Sequence, residues 1–585
     1  MLTSAPVAAA QAAASIPAVP VASWLLAISP VVLLLALVLW GRFSTITNAA
    51  VTVAYSVAVG LAAFGANPLT VGVGLGKGAW VGLWILYVIW PALLMHHLAS
   101  NVGMTALGRV LSTVLPRRSE NVLLLAWILP SFIQGVSGFG TPIAVAAPLL
   151  FALGVGAARS VALPLIGYHW AVGFGSMGSS FYMGALTAHL GPVGTAEYAG
   201  SASLALGVNC VLSGVLVALM DGGLRGLRAG WRLIAVAGPV MAVVQALVAR
   251  AEPGIGALCA GGAGVAVVLL LRVVHGRRGE ARRTAGVQRS TREEVTVPAD
   301  AARAAGGAGA LAGPSSHGDL SSDDRGDARP DPDGRSAGEL RAARAAAVPY
   351  GLLALVALAV FLPPATRAWA KGHLLVGPSF PATGTSQGMA NPAVHGYNPI
   401  ALAGHPGTFL LLACLGSVVV WRLTGVWKRG AWATVWRGAV RQSWKSSPSV
   451  VLLASVAGVL VDTGMVRTVA RGAAAATGHA YPAMAPLVGA LGSFITGSTT
   501  SSNALFSALQ REVAQLIGDR PADLLAGQLA GGNIGNSLAP VVILLGLSAV
   551  GSVRSAGQVL RMTLLPAAVL LLSVVATTMT LVAIH

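Results

Sequence analysis

Charge is what this chain has little of. Only 10% of its 585 residues are Asp, Glu, Lys or Arg, against 55% hydrophobic residues. A soluble domain carries roughly 25% charged residues, so a water-soluble globular body is excluded. Acidic residues number 19, and eleven of them fall within 276–345. The rest of the chain keeps eight: Glu120, Glu197, Asp221, Glu252, Asp462, Glu512, Asp519 and Asp523. Cysteine is nearly absent. Cys210, Cys259 and Cys414 stand singly in apolar runs with no CxxC pair, and read as packing residues. No HExxH, phosphate-binding loop or dinucleotide fingerprint occurs. The Ala-rich start, Met1–Pro20, has no Lys or Arg and so lacks the charged region of a cleavable signal.

Long hydrophobic runs are what the chain has instead. Val21–Trp40, Ala79–Leu98, Ser201–Met220, Ile255–Val274, Thr408–Trp427 and Met562–Ala583 each reach the ~20 residues that a helix needs to cross a bilayer. The sequence predicts an all-α polytopic membrane protein with about twelve spans and two interrupted segments. The net charge of +18 does not point to nucleic acid. Its basic residues sit in short loops: Arg42, Arg109, Arg117, Arg118, Arg159, Arg225, Arg228, Arg232, the run Arg272–Arg283, Lys428, Arg429, Arg437, Arg441, Lys445 and Arg554. If spans alternate, these fall on one side, which is then the cytoplasm of a bacterial inner membrane. Arg467, Arg471, Arg511 and Arg520 fall on the other side and weaken the fit. Abundant Ala and Gly with little lysine hint at a high-GC bacterial genome.

A short phrase occurs twice. Ser131-Phe132-Ile133-Gln134-Gly135 is echoed by Ser493-Phe494-Ile495-Thr496-Gly497, and the same offset lays Val172-Gly173 on Ile534-Gly535. Both copies run into small, hydroxyl-rich sequence, VSGFGTP and STTSSN. Paired interruptions of apolar segments in two halves of a chain point to a secondary transporter. The polar stretch 276–345 reads as a disordered cytoplasmic linker. It separates an N-terminal half, 1–275 with hairpin 121–155, from a C-terminal half, 346–585 with hairpin 482–518. The Pro-, Gly- and Asn-rich stretch 364–407 reads as irregular and extracellular. About seven spans separate the hairpins. Seven is odd, so the hairpins enter from opposite sides as an inverted repeat, with 134–142 and 496–503 non-helical and meeting near mid-membrane.

The chemistry at these tips suits an anion. A broken helix exposes unpaired N–H groups at its new N-terminus, where the helix dipole favours negative charge. Gly135, Gly138 and Gly140 allow close approach to the backbone. Ser137, Thr141, Ser498, Thr499, Thr500, Ser501, Ser502 and Asn503 add hydroxyl and amide donors. The competing reading is helix packing, since small residues are enriched wherever membrane helices touch. Two matched stretches in inverted context favour a substrate site.

QGVSGFGTPIAVAAPLL at 134–150 resembles a signature of the lactate permease family, Glu-Gly-x-x-Gly-Phe-Gly-x-Pro. TGSTTSSNALFSALQ at 496–510 resembles that family's second signature, Thr-Gly-Ser-Asp-Thr-Ser-Ser-Asn-x-Leu-Phe-x-x-Leu-Gln. MDG at 220–222 and TGHA at 477–480 also match. The resemblance implies proton-coupled import of lactate, glycolate or similar 2-hydroxymonocarboxylates. It implies an elevator-like cycle and no metal or organic cofactor. Three departures concern charge. The family's first-hairpin acid is Gln134 here, its second-hairpin Asp is Thr499, and a Lys after Gly-Gly is replaced by Asn536.

A proton-coupled carrier needs a titrating group, and intramembrane carboxylates are the usual relays. Asp462, at the end of an apolar stretch, is one candidate, with an interfacial carboxylate as the plainer reading. His169, in GYHWAVGFGSMG, is the other, with a hydrogen-bonded packing histidine as the plainer reading. Glu197 and Asp221 read as solvated loop residues, and His96-His97 as interfacial. Gly135-Val136-Ser137-Gly138 matches a local pattern of intramembrane serine proteases, but no repeat partner supplies a catalytic set, and an enzyme is not expected. Two readings stand beside lactate import. One is a carrier of another small anion or a neutral solute with altered coupling. The other is a non-transporting membrane sensor. Labelled-lactate counterflow separates them.

Overall fold

The computed structural model describes residues 19–40, 42–112, 115, 117–138, 140–273, 337–361, 363–428 and 430–585. Among them helix dominates, because an apolar run in lipid must satisfy its own amides. The chain opens with α1 (Val21–Trp40), α2 (Thr45–Ala63), α3 (Pro68–Val102) and the short α4 (Met104–Ser112). Ser44 caps α2 by accepting the Thr47 amide, and Asn67 caps α3 by accepting the Thr70 amide at 2.8 Å, with Pro68 in the first turn. The first hairpin follows as α5 (Arg118–Val136) and α6 (Thr141–Ala152), then α7 (Ala157–Tyr168) and α8 (Gly175–Thr187). Helix α9 (Pro192–Ala251) breaks at Gly222–Gly223 and folds back, so that Gly207 meets Ala242 and Gly238 meets Val211. Helix α10 (Pro253–Val273) ends this half.

The second half runs α11 (Ala337–Phe361), α12 (Pro364–Gly372), α13 (Pro406–Leu423), α14 (Ala431–Asp462) and α15 (Met465–Thr477). The second hairpin is α16 (Met484–Thr496) and α17 (Thr499–Ile517), followed by α18 (Pro521–Leu538), α19 (Pro540–Ala549) and α20 (Ala556–Ile584). Helix α11 begins inside the segment read as a linker; the rest of that segment lies outside the described residues. The loop before α13 is more regular than its composition suggested. Beyond α12 it holds β1 (Leu375–Val376), β2 (Thr383–Gly384), β3 (Ala390–Asn391) and β4 (Ile400–Ala401), paired antiparallel as β1 with β4 and β2 with β3.

The molecule is an all-α polytopic membrane protein. Ten helices among the described residues are long and apolar enough to cross a bilayer, or eleven if the pair α18–α19, bent by 48°, is one span. The expected number was about twelve. The shortfall has a structural cause: α9 holds two antiparallel arms, and α7 and α8 are each too short to qualify alone.

The breaks are narrower than expected. Gln134–Val136 stay helical, and the Ser137 amide still donates to the Ile133 carbonyl at 2.9 Å. Helix resumes at Thr141 in the first hairpin and at Thr499 in the second, where the Ser498 hydroxyl accepts the Ser501 amide at 3.2 Å. Thr499–Asn503 are therefore the first turn of a helix. Glycine is needed at both turns: Gly140 has φ 84° and Gly497 φ 69°.

Two readings of acidic residues need correction. Asp221 is not solvated: its side chain is buried beside the Gly222 turn, 3.5 Å from the Arg118 guanidinium. Asp462 is not interfacial in the sense expected, because it lies buried against Lys77. Glu197 is about half exposed, 3.9 Å from Arg520.

Helices α3 and α14 pack backbone to backbone. A Cβ on Gly78 would run into the Ala454 carbonyl, and one on Gly458 into the Gly74 carbonyl. Close approach through small residues is how membrane helices gain contact without a hydrophobic drive. Gly458→Val is expected to cost about 1–3 kcal/mol through overpacking. Thermal unfolding of the purified protein in detergent checks it, and an unchanged transition would show that the seam can open freely.

Candidate substrate-binding site

The breaks converge on one cavity of about 280 Å³. A single water needs about 10–15 Å³ by the same measure, so there is room for a small solute. The first hairpin contributes Gln134 and Gly140, the second Gly497, Ser498, Thr499 and Thr500. Tyr168 and Val172 come from the end of α7 and the bend after it, and Ser176, Ser179 and Ser180 from α8. Asn536 of α18, Val541, Val542 and Leu545 of α19, Leu93 of α3 and Gln442 of α14 complete the wall. None of the described residues that line it is charged.

The polar wall is held in place from behind. Ser176 and Met177 have φ 48° and 52°, a left-handed turn that non-glycine residues rarely adopt. The Ser176 hydroxyl accepts the Gly138 amide at 2.8 Å, tying α8 to the first break. The Ser180 and Thr500 hydroxyls are 3.0 Å apart, which ties α8 to the second hairpin. Thr499 donates to the Gly532 carbonyl at 3.2 Å.

Several polar side chains remain free to meet a ligand, the amides of Gln134 and Asn536 and the hydroxyls of Tyr168 and Ser179 among them. Gln134, only 5% exposed, has no hydrogen-bond partner for its amide among the described residues, and neither has the Asn536 amide. Helix α17 also begins at the cavity, and its first amides have no intrahelical acceptor. Amide and hydroxyl donors at a helix N-terminus, with no fixed cation, make a place for a compact anion.

Of the residues singled out in the sequence, Gln134, Ser498, Thr499, Thr500 and Asn536 line the cavity. The others stand behind it. Gly135 packs on the Leu258 backbone, and the Ser137 and Thr141 hydroxyls face each other at 3.1 Å. Gly138 donates to Ser176, as above. Ser501 gives its amide to the Ser498 cap. Ser502 donates to the Gly489 carbonyl at 3.1 Å, and the Asn503 amide to the Ser180 carbonyl at 2.8 Å. Asp462 and His169 are both away from the cavity wall. His169 Nδ1 lies 2.8 Å from the Ile166 carbonyl and 3.3 Å from the Ser213 hydroxyl.

Sequence reasoning passed over Ser176, Ser179 and Ser180, although the run GSMGSS stood beside the histidine it weighed. It also passed over Lys77, whose signal was a lone cation in an apolar run.

The sequence matches the profile of the L-lactate permease family over residues 23–312 and 327–585. The chain belongs to that family. Among its curated relatives, the L-lactate permease of Escherichia coli K12 is 25% identical over 500 residues, covering 83% of this chain and 82% of its own. The glycolate permease GlcA of the same strain is 26% identical over 506 residues, covering 83% of each. The L-lactate permease of Bacillus subtilis 168 is 26% identical over 531 residues, covering 85% of each. The family's members are membrane transporters, and the apolar helices here fit that role. Catalysis is no part of what the family name describes.

Proposed function

We propose that this protein is a secondary carrier importing a small 2-hydroxymonocarboxylate, such as lactate or glycolate, together with protons. The observation that carries the reading is the uncharged, donor-rich cavity where both helix breaks meet. The relatives named for lactate and for glycolate support the substrate class. Gln134, Ser498, Thr499, Thr500 and Asn536 would bind the substrate, with Ser176, Ser179 and Ser180 added to the set. Gly135, Ser137, Gly138, Thr141, Ser501, Ser502 and Asn503 would shape that wall. The carboxylate would take the α17 amides and hydroxyls, and the 2-hydroxyl an amide of Gln134 or Asn536.

The architecture that goes with this reading has two halves, 1–275 and 346–585, as inverted repeats joined by the segment between them. In each half a helical hairpin precedes a broken helix: α5–α6 before α7–α8, and α16–α17 before α18–α19. Dividing α9 at its glycines, taking each broken helix as one pass and leaving out α5 as an arm of the first hairpin brings the count to the expected twelve. The hairpins would move against the α3–α14 frame in an elevator-like cycle. Of the two relay candidates, Asp462 has a charged partner and His169 has none among its contacts.

Counterflow tests the reading. Proteoliposomes preloaded with unlabelled lactate should take up labelled lactate, and glycolate should compete. Gln134→Leu should raise KM at least about tenfold, because a buried amide that meets a ligand is worth about 1.5–3 kcal/mol when the ligand is charged. If neither acid exchanges, lactate import fails. The neutral residues at 134, 499 and 536 keep one other reading open, a carrier of another small anion or neutral solute, which a substrate panel in the same assay would reveal.

A further inference from the structure

We propose that the buried Lys77–Asp462 pair is the carrier's proton-binding site, connected to the substrate cavity by a polar seam along α8. This rests on the import reading above, and it names a site and a route that the reading leaves open.

Lys77 Nζ lies 2.9 Å from Asp462 Oδ2 and 3.2 Å from Oδ1, and the two side chains are 8% and 4% exposed. Lys77 stands in the third turn of α3, the tenth of its 35 residues, and Asp462 is the last residue of α14. Intramembrane ionisable groups are costly and mark ion or proton pathways. The other titratable neighbours are few. The Tyr397 ring lies 5.9 Å from Lys77 Nζ, and its hydroxyl is 2.8 Å from His189 Nε2. Arg511 of α17 faces His189, and with burial and Lys77 it pushes that histidine down to about 4. Burial and the nearby Asp462 push the Tyr397 hydroxyl up. Both loop residues are therefore neutral near pH 7, which leaves Lys77 as the ion-pair partner of Asp462. Arg467 and Glu512, from α15 and α17, are 3.8 Å apart and answer each other.

The seam has its own evidence. Ser180, Gly184 and Thr187 fall on one face of α8, and Thr500, Asn503, Ser507 and Arg511 on one face of α17. Thr187 donates to the Asn503 carbonyl at 3.3 Å. Between them, Gly184 has no side chain and so lets the two helices come close. An atom at its Cβ position would be 3.0 Å from the Tyr198 hydroxyl, 3.2 Å from Ser507 Oγ and 3.6 Å from Asn503 Nδ2. The Tyr198 hydroxyl, Ser507 Oγ and Asn503 Oδ1 are fully buried and have no partner among the described residues. Three orphaned polar groups thus cluster where Gly184 brings the helices together. Further along, a gap of about 10 Å³ is lined by Gly78, Thr187, His189, Tyr397 and Gly458. That is the size of one water. The polar groups thus run from Thr500 at the cavity to Tyr397 beside the pair.

The step is a proton transfer. A proton from water binds a carboxylate oxygen of Asp462, and the neutral acid no longer pairs with the Lys77 ammonium. Its release to water on the other side restores the pair.

The test uses the full-length protein in proteoliposomes with labelled lactate, reading exchange and accumulation driven by a pH gradient separately. A merely structural pair would lower both through loss of folded protein. Asp462→Asn should keep exchange and lose gradient-driven accumulation by at least about tenfold, the size of an ordinary coupling energy. Lys77→Met/Asp462→Leu, which leaves no lone buried charge, should do the same, and accumulation at the wild-type level in either variant overturns the proposal. Gly184→Ala keeps both charges and presses a methyl on the Tyr198 and Ser507 hydroxyls of the seam; it should slow gradient-driven uptake about fivefold while exchange continues. Wild-type rates in Gly184→Ala would overturn the seam. If wild type exchanges neither lactate nor glycolate, the import reading has failed, and the site is read directly by infrared pH titration in detergent. A carboxylic acid band should then appear on acidification and be missing in Asp462→Asn; its presence in both would overturn the site.

Discussion

Lys77→Met alone is expected to destabilise this protein by about 3–5 kcal/mol, while Lys77→Met combined with Asp462→Leu recovers most of that loss. The single variant leaves the Asp462 carboxylate buried with no cation against it, since its nearest other polar neighbours are neutral. The double variant replaces a desolvated ion pair with apolar groups of similar size between two helices that already pack tightly at Gly78 and Gly458. Denaturant-induced loss of folded protein in one detergent gives the comparison. A double variant no better than the single would mean that the pair tethers α3 to α14 in a way apolar contact does not replace. A single variant as stable as wild type would mean that Asp462 has water or a second cation within reach.

The two helix breaks were legible in the sequence because they are written in residue types. Gly140 and Gly497 adopt positive φ, which only glycine does freely, and Gly497 stands just before a run of hydroxyls whose first, Ser498, caps a helix. The apolar runs were equally plain, because a span must be long and uninterrupted. What one sequence does not display is which side chain turns inward. Tyr168 and Val172 line the cavity while His169, between them, points to Ser213, a difference of helical phase at a bend. Nor does it display long-range pairing. Lys77 and Asp462 meet across 385 positions of chain, and nothing local to either residue names the other. Asp462 drew attention as a rare acid, whereas Lys77, just ahead of the apolar run Ala79–Leu98, was passed over. The extra width given to the breaks had a similar origin: Ser, Thr and Asn are poor in helix interiors yet good in a first turn, where Thr499–Asn503 are found.

The sharpest change in transport should come from putting an acid back at the first break. In wild type, the cavity wall holds no charge, so the substrate carboxylate meets only donors and apolar surface. Gln134→Glu places an ionisable group where an amide now faces the cavity without a partner. When that group is charged, it opposes the substrate anion. Two like charges about 4 Å apart cost about 4 kcal/mol in partly buried surroundings. A factor of ten in affinity needs only about 1.4 kcal/mol, so lactate uptake at neutral pH should fall by well over about tenfold. When the group takes up a proton as the pH falls, the repulsion vanishes and a donor returns, so uptake should recover toward the wild-type rate. Wild type itself should depend on external pH less steeply than this variant. Thr499→Asp should behave differently. Its carboxylate sits in the first turn of α17, where it would accept the same amide hydrogens that the substrate needs. That variant should bind lactate poorly, with much less recovery on acidification, and the pair Gln134→Glu/Thr499→Asp should combine a steep pH dependence with a low rate. Initial rates of labelled lactate uptake across external pH, for wild type and the three variants, decide the matter. Equal pH profiles in wild type and Gln134→Glu would show that position 134 does not face the bound anion.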